Sequence, residues 1–187
     1  LEMVSSLNSD DLVIALISGG GSSLLTLPAE GLSLKDKQEI NAELLKSGAP
    51  IKAINCIRSH ISLIKGGRLA QAAYPARVVS LIISDVPGDD PTIIASGPTV
   101  PDPTTFSNAL ELLNRYRIPV SEKIMDHLKA GLNESPKPGD PYLLKSQINV
   151  LASPGLALKE AAKIAHESGY KTILLGDAIE GEARIIA

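Results

Sequence analysis

A chain of 187 residues has room for one domain, or one and a part, with a core that needs no staple. With 44% apolar and 21% charged residues it is composed like an ordinary globular protein, and its single cysteine, Cys56, excludes an internal disulfide. A net charge of -3, with four Tyr, one Phe and no Trp, argues against a nucleic-acid partner, and no apolar run approaches the roughly 20 residues of a membrane helix.

No basic stretch followed by an apolar one opens the chain, so a cytoplasmic setting is expected. Asp11 to Ile17 is apolar at consecutive positions, the pattern of a strand buried on both faces of a parallel sheet. It runs directly into Ser18-Gly19-Gly20-Gly21-Ser22-Ser23. Glycines after a strand let backbone N–H groups approach an anion without Cβ interference, and the serine hydroxyls add donors. The same residues also suit a tight strand-to-helix turn that holds nothing. Neither a dinucleotide fingerprint nor a P-loop is present, because Leu24 stands where the third glycine of G-x-G-x-x-G belongs and no Gly-Lys-Ser/Thr follows.

Helices are predicted at Ser33 to Lys46, with Ser33 as the cap, and at Ile51 to Lys65. On the second, Ile54, Ile57, Ile61 and Ile64 make an apolar stripe, and Asn55, Arg58, Ser62 and Lys65 a polar stripe beside it. Lys65-Gly66-Gly67-Arg68 then breaks the helix. No acid occurs from Leu44 to Ser84, whereas Lys46, Lys52, Arg58, Lys65, Arg68 and Arg77 all do, so a small anion is a natural ligand here; a solvated polar face is the alternative. His60 lies off both stripes and reads as structural.

A second buried strand is expected at Arg77 to Ile83. The loop over 86–103 carries five prolines, too many for a helix or a central strand. Asp85, Asp89 and Asp90 open it. Hard cations such as Mg²⁺ take carboxylate and phosphate oxygens, which suits these residues as metal ligands; Asp, Gly and Pro equally dominate turns for conformational reasons. Helices follow at Thr105 to Tyr116 and Ser121 to Gly131, then a linker or surface crossover at Ser135 to Pro141, a strand at Ile148 to Leu151, a helix at Gly155 to Ser168 and a strand at Lys171 to Leu175. The alternation defines an α/β class, and ligands of open parallel sheets sit beyond the carboxyl ends of the strands, where the glycine and aspartate loops fall.

Taken in order, LISGGGSSLL, LLKSGAPIKAIN, RSHISLIKGGRLA, SDVPGDDPTIIASGPTVPDPTT and IEGEAR resemble the glycerate 2-kinase family, whose members also carry the label hydroxypyruvate reductase and end in a domain called MOFRL. The resemblance implies a Rossmann-like three-layer domain with a largely parallel sheet over residues 1–141, and over 142–187 a strand-helix-strand continuation toward a mostly absent MOFRL domain. This chain then reads as an internal piece. Implied activity is transfer of the ATP γ-phosphoryl to the 2-hydroxyl of D-glycerate with Mg²⁺. Ser18, Gly19, Gly20, Gly21, Ser22, Ser23, Asn55, Arg58 and Arg68 become substrate or phosphate ligands; Lys65, Asp85 and Asp89 become catalytic; and Asp85, Asp89 and Asp90 become metal ligands. The expected partner is the small substrate D-glycerate, with neither nucleic acid nor membrane, and a homodimer stays open. An NAD(P)H-dependent hydroxypyruvate reductase and a non-catalytic small-acid binding module are the rival readings.

Overall fold

A computed structural model of the chain describes residues 1–179 and Arg184. Three parallel strands, β1 (Leu12–Ile17), β2 (Arg77–Ile83) and β3 (Ser146–Ala152), form one sheet in that order. Leu12 pairs with Arg77 and Ile17 with Ile82, while Ser80 pairs with Ile148, and the register slips at Ile82/Ile83. The carboxyl ends of β1 and β2 therefore lie side by side. The fold is mixed α/β with a parallel sheet, as the alternation predicts.

Two short helices, α1 (Glu2–Ser5) and α5 (Arg68–Ala73), pack on one face of the sheet, where Val4, Ala70 and Ala73 meet Val13 and Val78. Among the described residues nothing covers the opposite face, where Leu12, Ile14, Leu16 and Leu151 are exposed. Consecutive apolar residues predict two buried faces; the helices described cover only one. The larger core is helical. It joins α3 (Leu34–Lys46), α4 (Ile51–His60), α6 (Phe106–Arg115) and α7 (Glu122–Ala130) through Ile40, Leu44, Ile57, Phe106, Leu113 and Leu128. The helix after β3, α8 (Pro154–Glu167), is capped by Ser153, whose hydroxyl accepts from the Leu156 N–H. No helix among the described residues is long and apolar enough to cross a membrane.

Ser33 and Thr105 start their helices by reciprocal capping: each hydroxyl accepts from the N–H three residues on, and Asp36 or Asn108 accepts from the capping residue's own N–H. Thr105→Ala removes one such acceptor and is expected to cost about 1 kcal/mol. That loss lowers the thermal midpoint of a domain this size by roughly 2–4 °C, which calorimetry resolves.

Three expectations are corrected. The helix from Ile51 ends at His60 and not at Lys65, because residues 61–63 pair with another segment: the Leu63 N–H donates to the Leu27 carbonyl, the Ala29 N–H to that of Ile61, and Pro28 bridges Ser62. Beyond the break at Lys65-Gly66-Gly67-Arg68, Arg68–Ala73 forms a helix where no element is predicted. Ser135 and Pro136 are buried and not part of a free linker, since Ser135 Oγ donates to Asp102 Oδ2 and the Asp102 N–H to the Pro136 carbonyl. Lys171 to Leu175 is not a strand: among the described residues it pairs with nothing, and Ile173 and Leu175 are exposed. Glu180, Gly181 and Glu182 of the last motif lie outside the described residues.

Candidate functional site

The loops that leave β1 and β2 meet beyond the strand ends. Ser18 to Gly20 are exposed, Gly20 is left-handed with φ 80°, and α2 (Gly21–Leu24) begins immediately after. Gly19 is required for a different reason: a Cβ there would lie 2.3 Å from Asp85 Oδ2 and 2.7 Å from its Cγ. Gly21 has no room either, since its Cβ would meet that of Ala95 at 2.8 Å. Close approach of the aspartate loop, more than turn conformation, explains the run of glycines.

The proline loop supplies a rigid support. Ala95, Ser96 and Gly97 are all left-handed, with φ of 52°, 62° and 57°. Such non-glycine conformations cost of order 1–3 kcal/mol each and persist only where the surroundings hold them. Here the Gly66 N–H donates to the Ser96 carbonyl at 3.0 Å and the Gly67 N–H to that of Gly97 at 2.7 Å. Buried Ser96 thus sits at a crossing: its Oγ donates to Asn55 Oδ1 at 3.2 Å, and Lys65 Nζ lies 3.4 Å from it.

Lys65 is 2% exposed, and its Nζ donates to the Ser22 carbonyl at 2.6 Å. It closes one end of a cavity of about 220 Å³ between α3 and α4, lined also by Ser22, Ser23, Lys37, Asn41 and Arg58. Among the described residues that lining holds three cations and no carboxylate. Burial, with Lys37 and Arg58 nearby, brings the Lys65 amine down from 10.5 to about 7. Burial and Arg58 bring Lys37 to about 8, and burial also lowers Arg58. Between about pH 7 and the unfolded value near ~10.4 both amines hold fewer protons folded than unfolded, so stability is expected to rise with pH across that window. Denaturation midpoints taken from pH 6.5 to 9.5 check this. A slope unchanged in Lys65→Met would show that Lys65 is not the source.

The other expected residues are distributed as follows. Asn55 faces the cavity on the far side of α4, about 260 Å³, and reaches Lys65 only through Ser96. Arg68 is separated from Lys65 by the left-handed Gly66 and Gly67; it lines a third cavity with His60 and His127 and donates through Nη2 to the Asn133 carbonyl at 2.6 Å. Expected beside Lys65, it stands apart from it. His60 is structural, held between the Cys56 carbonyl and Glu134. Asp90 is committed to a turn, accepting from the N–H and hydroxyl of Thr92, with Lys52 at 3.8 Å. Among the described residues no three or more His, Cys, Asp or Glu side chains gather as a metal cluster. Asp89 differs from Asp90: its Oδ1 is buried without a hydrogen-bond partner, on a residue with φ 54°. Lys37 and Asn41 belong to none of the sequence motifs, whereas Ser96 stands in the SDVPGDDPTIIASGPTVPDPTT run with no role read from it. The first two were accessible in principle, being one turn apart on the α3 face that also carries Ile40 and Leu44.

A sheet of parallel strands with glycine and aspartate loops converging at its carboxyl end, beside a cavity lined by three cations, defines a mixed α/β protein. Residues 1–129 match the family model described as "Domain of unknown function (DUF4147)", and the chain belongs to that family. It is 52% identical over 181 residues to an Agrobacterium vitis protein named "Putative hydroxypyruvate reductase", covering 97% of this chain and 40% of that one. It is 43% identical over 184 residues to the "D-glycerate 2-kinase" of Thermotoga maritima, covering 98% and 42%. The crystal structure of a glycerate kinase from Thermotoga maritima superposes with a TM-score of 0.81 at 42% identity, covering 93% of this chain and 40% of that one. The chain thus spans less than half the length of these relatives, and the resemblance to glycerate kinases read from its motifs is shown over nearly all of it.

Proposed function

We propose that this chain carries part of the active site of a cytoplasmic, ATP-dependent glycerate 2-kinase, which passes the γ-phosphoryl group of ATP to the 2-hydroxyl of D-glycerate. In that reaction the bond between the γ-phosphorus and the β,γ-bridging oxygen breaks, one forms between phosphorus and the substrate O2, and the hydroxyl proton is released. The products are ADP and 2-phosphoglycerate. The observation that carries the reading is the convergence of the glycine loop, the Asp85 loop and the acid-free cavity at one end of the sheet.

Phosphoryl transfer asks a protein mainly for in-line positioning and for neutralisation of charge. Ser22 and Ser23 with Arg58 and Lys65 supply donors and positive charge on one side. Gly19 lets the Asp85 carboxylate lie against the loop on the other. The buried, unpartnered Oδ1 of Asp89 and the Asp85 carboxylate fit a hard cation, so these two, and not Asp90, would hold Mg²⁺. When bound there, the ion would screen the phosphate charges and hold them for attack. Residues 1–141 would belong to the Rossmann-like domain, with 142–187 continuing toward a second one.

Incubating the intact protein with D-glycerate, ATP and Mg²⁺, and identifying the product by ³¹P and ¹³C NMR, tests the proposal. Formation of 2-phosphoglycerate is expected. Oxidation of NADPH by hydroxypyruvate with no phosphorylated product would replace the kinase by a reductase, the activity in the name of the Agrobacterium vitis relative.

A further inference from the structure

We propose that the cavity between α3 and α4 is a site for a terminal phosphoryl group, in which Lys37 and Asn41 of α3 act with Arg58 and Lys65. The inference deepens the kinase reading by naming the group that this cavity takes and a ligand from outside the motifs.

The cavity is built for an anion and contains none of its own. Each of its three cations is matched to a neutral oxygen: Lys65 to the Ser22 carbonyl at 2.6 Å, Lys37 to the Leu27 carbonyl at 3.3 Å, and Arg58 Nε to Asn41 Oδ1 at 2.8 Å, with Nη2 on the same oxygen. Asp36, next to Lys37 in the chain, does not line the cavity and is occupied by Ser33 and Lys123. Buried charges are ordinarily paired; facing one cavity with no carboxylate among the described residues, these three groups repel one another, so Lys65 and Lys37 lose their protons more readily, and an entering anion would favour their charged forms. One negative charge would leave two of them unbalanced, so a phosphoryl group carrying about two suits the site better than a carboxylate. At about 220 Å³ the cavity lies below the ~300–1,000 Å³ usual for larger ligands, which favours an end group over a whole nucleotide. Leu25, Ile40, Leu44 and Ile61 wall the rest and lower the local dielectric, strengthening each charge-assisted contact. Asn41, by engaging two nitrogens of Arg58, fixes the guanidinium plane at the cavity wall and is a positioning residue.

The terminal phosphoryl of ATP and that of the phosphorylated product present the same chemistry. Calorimetric titration of the intact protein with inorganic phosphate, and with acetate at equal ionic strength, tests the site itself. Phosphate is expected to bind at least about tenfold more tightly than acetate, and Lys37→Met to weaken phosphate by about tenfold or more. Lys37→Arg should stay within about threefold of the native affinity because it keeps the charge. Lys35→Met, on the exposed side of α3 beside Glu39, should change nothing. Repeating the Lys37→Met comparison with a non-hydrolysable ATP analogue and with 2-phosphoglycerate shows which source the site serves, by which of the two loses affinity. Equal binding of phosphate and acetate, or phosphate affinity unchanged in Lys37→Met, would overturn the inference. If that variant misfolds, the wild-type thermal midpoint decides: it should rise with phosphate and not with acetate. Lys37-dependent phosphate binding in a protein that makes no phosphoglycerate would instead defeat the kinase reading and leave this one standing.

Discussion

Gly19→Ala is expected to lower turnover of D-glycerate by roughly 10²-fold or more while leaving the protein folded, since about 1 Å of misplacement at a reacting centre costs that much. The added Cβ would stand 2.3 Å from Asp85 Oδ2, closer than non-bonded atoms approach, so one of the two must move. Asp85 is exposed and yields more readily than the strand end behind Gly19. The fold survives and the carboxylate leaves its place against the loop. Gly20→Ala separates this effect from backbone strain, because a Cβ at Gly20 meets nothing within 4 Å although φ is +80°. That variant should lose about 1–2 kcal/mol of stability and much less activity. Steady-state kinetics across a Mg²⁺ titration, with thermal midpoints for both variants, make the comparison. Near-normal turnover in Gly19→Ala would remove Asp85 from the site.

Lys65→Met is expected to reduce kcat/KM by roughly 10²–10³-fold, the scale of losing one preorganised contact to a developing charge. Stability should hold or improve. As a residue at a helix end, Lys65 reads as an exposed cation of little energetic weight; in the structure it is 2% exposed and shares its cavity with Lys37 and Arg58. Burying an amine among like charges is a standing cost, which methionine, similar in length and apolar, relieves. Loss of function with an unchanged or raised thermal midpoint marks a residue kept for binding against its own stability. A midpoint that collapses while the kinetics stay native would make Lys65 a structural lysine.

Local patterns carried most of the fold. Consecutive Val, Ile and Leu with a loop of glycine or aspartate behind them marked β1 and β2, and Ser33 and Thr105 marked helix starts to the residue. These are short-range effects: strand burial and capping each depend on a few neighbouring residues. The errors arose where a distant segment competed for the same backbone groups. Residues 61–65 have a helical apolar period, yet the 27–29 segment takes the hydrogen bonds of 61–63 and ends the helix early. Lys171 to Leu175 has strand composition but no pairing partner among the described residues, and a strand cannot form alone.

By itself the sequence determined the α/β class, the placement of the glycine and aspartate loops at strand ends, and a cationic segment free of acids. Only the tertiary structure decided which of those cations act together. Arg58 and Lys65 share a cavity with Lys37, a residue more than twenty positions earlier, while Arg68, three positions beyond Lys65, faces elsewhere. The reason is geometric. Two left-handed glycines between Lys65 and Arg68 separate side chains adjacent in sequence, and packing of α3 on α4 joins side chains that no local period relates. Charge composition is additive along a chain, but an anion site depends on the distances at which its charges are held, and those exist only once the helices have packed.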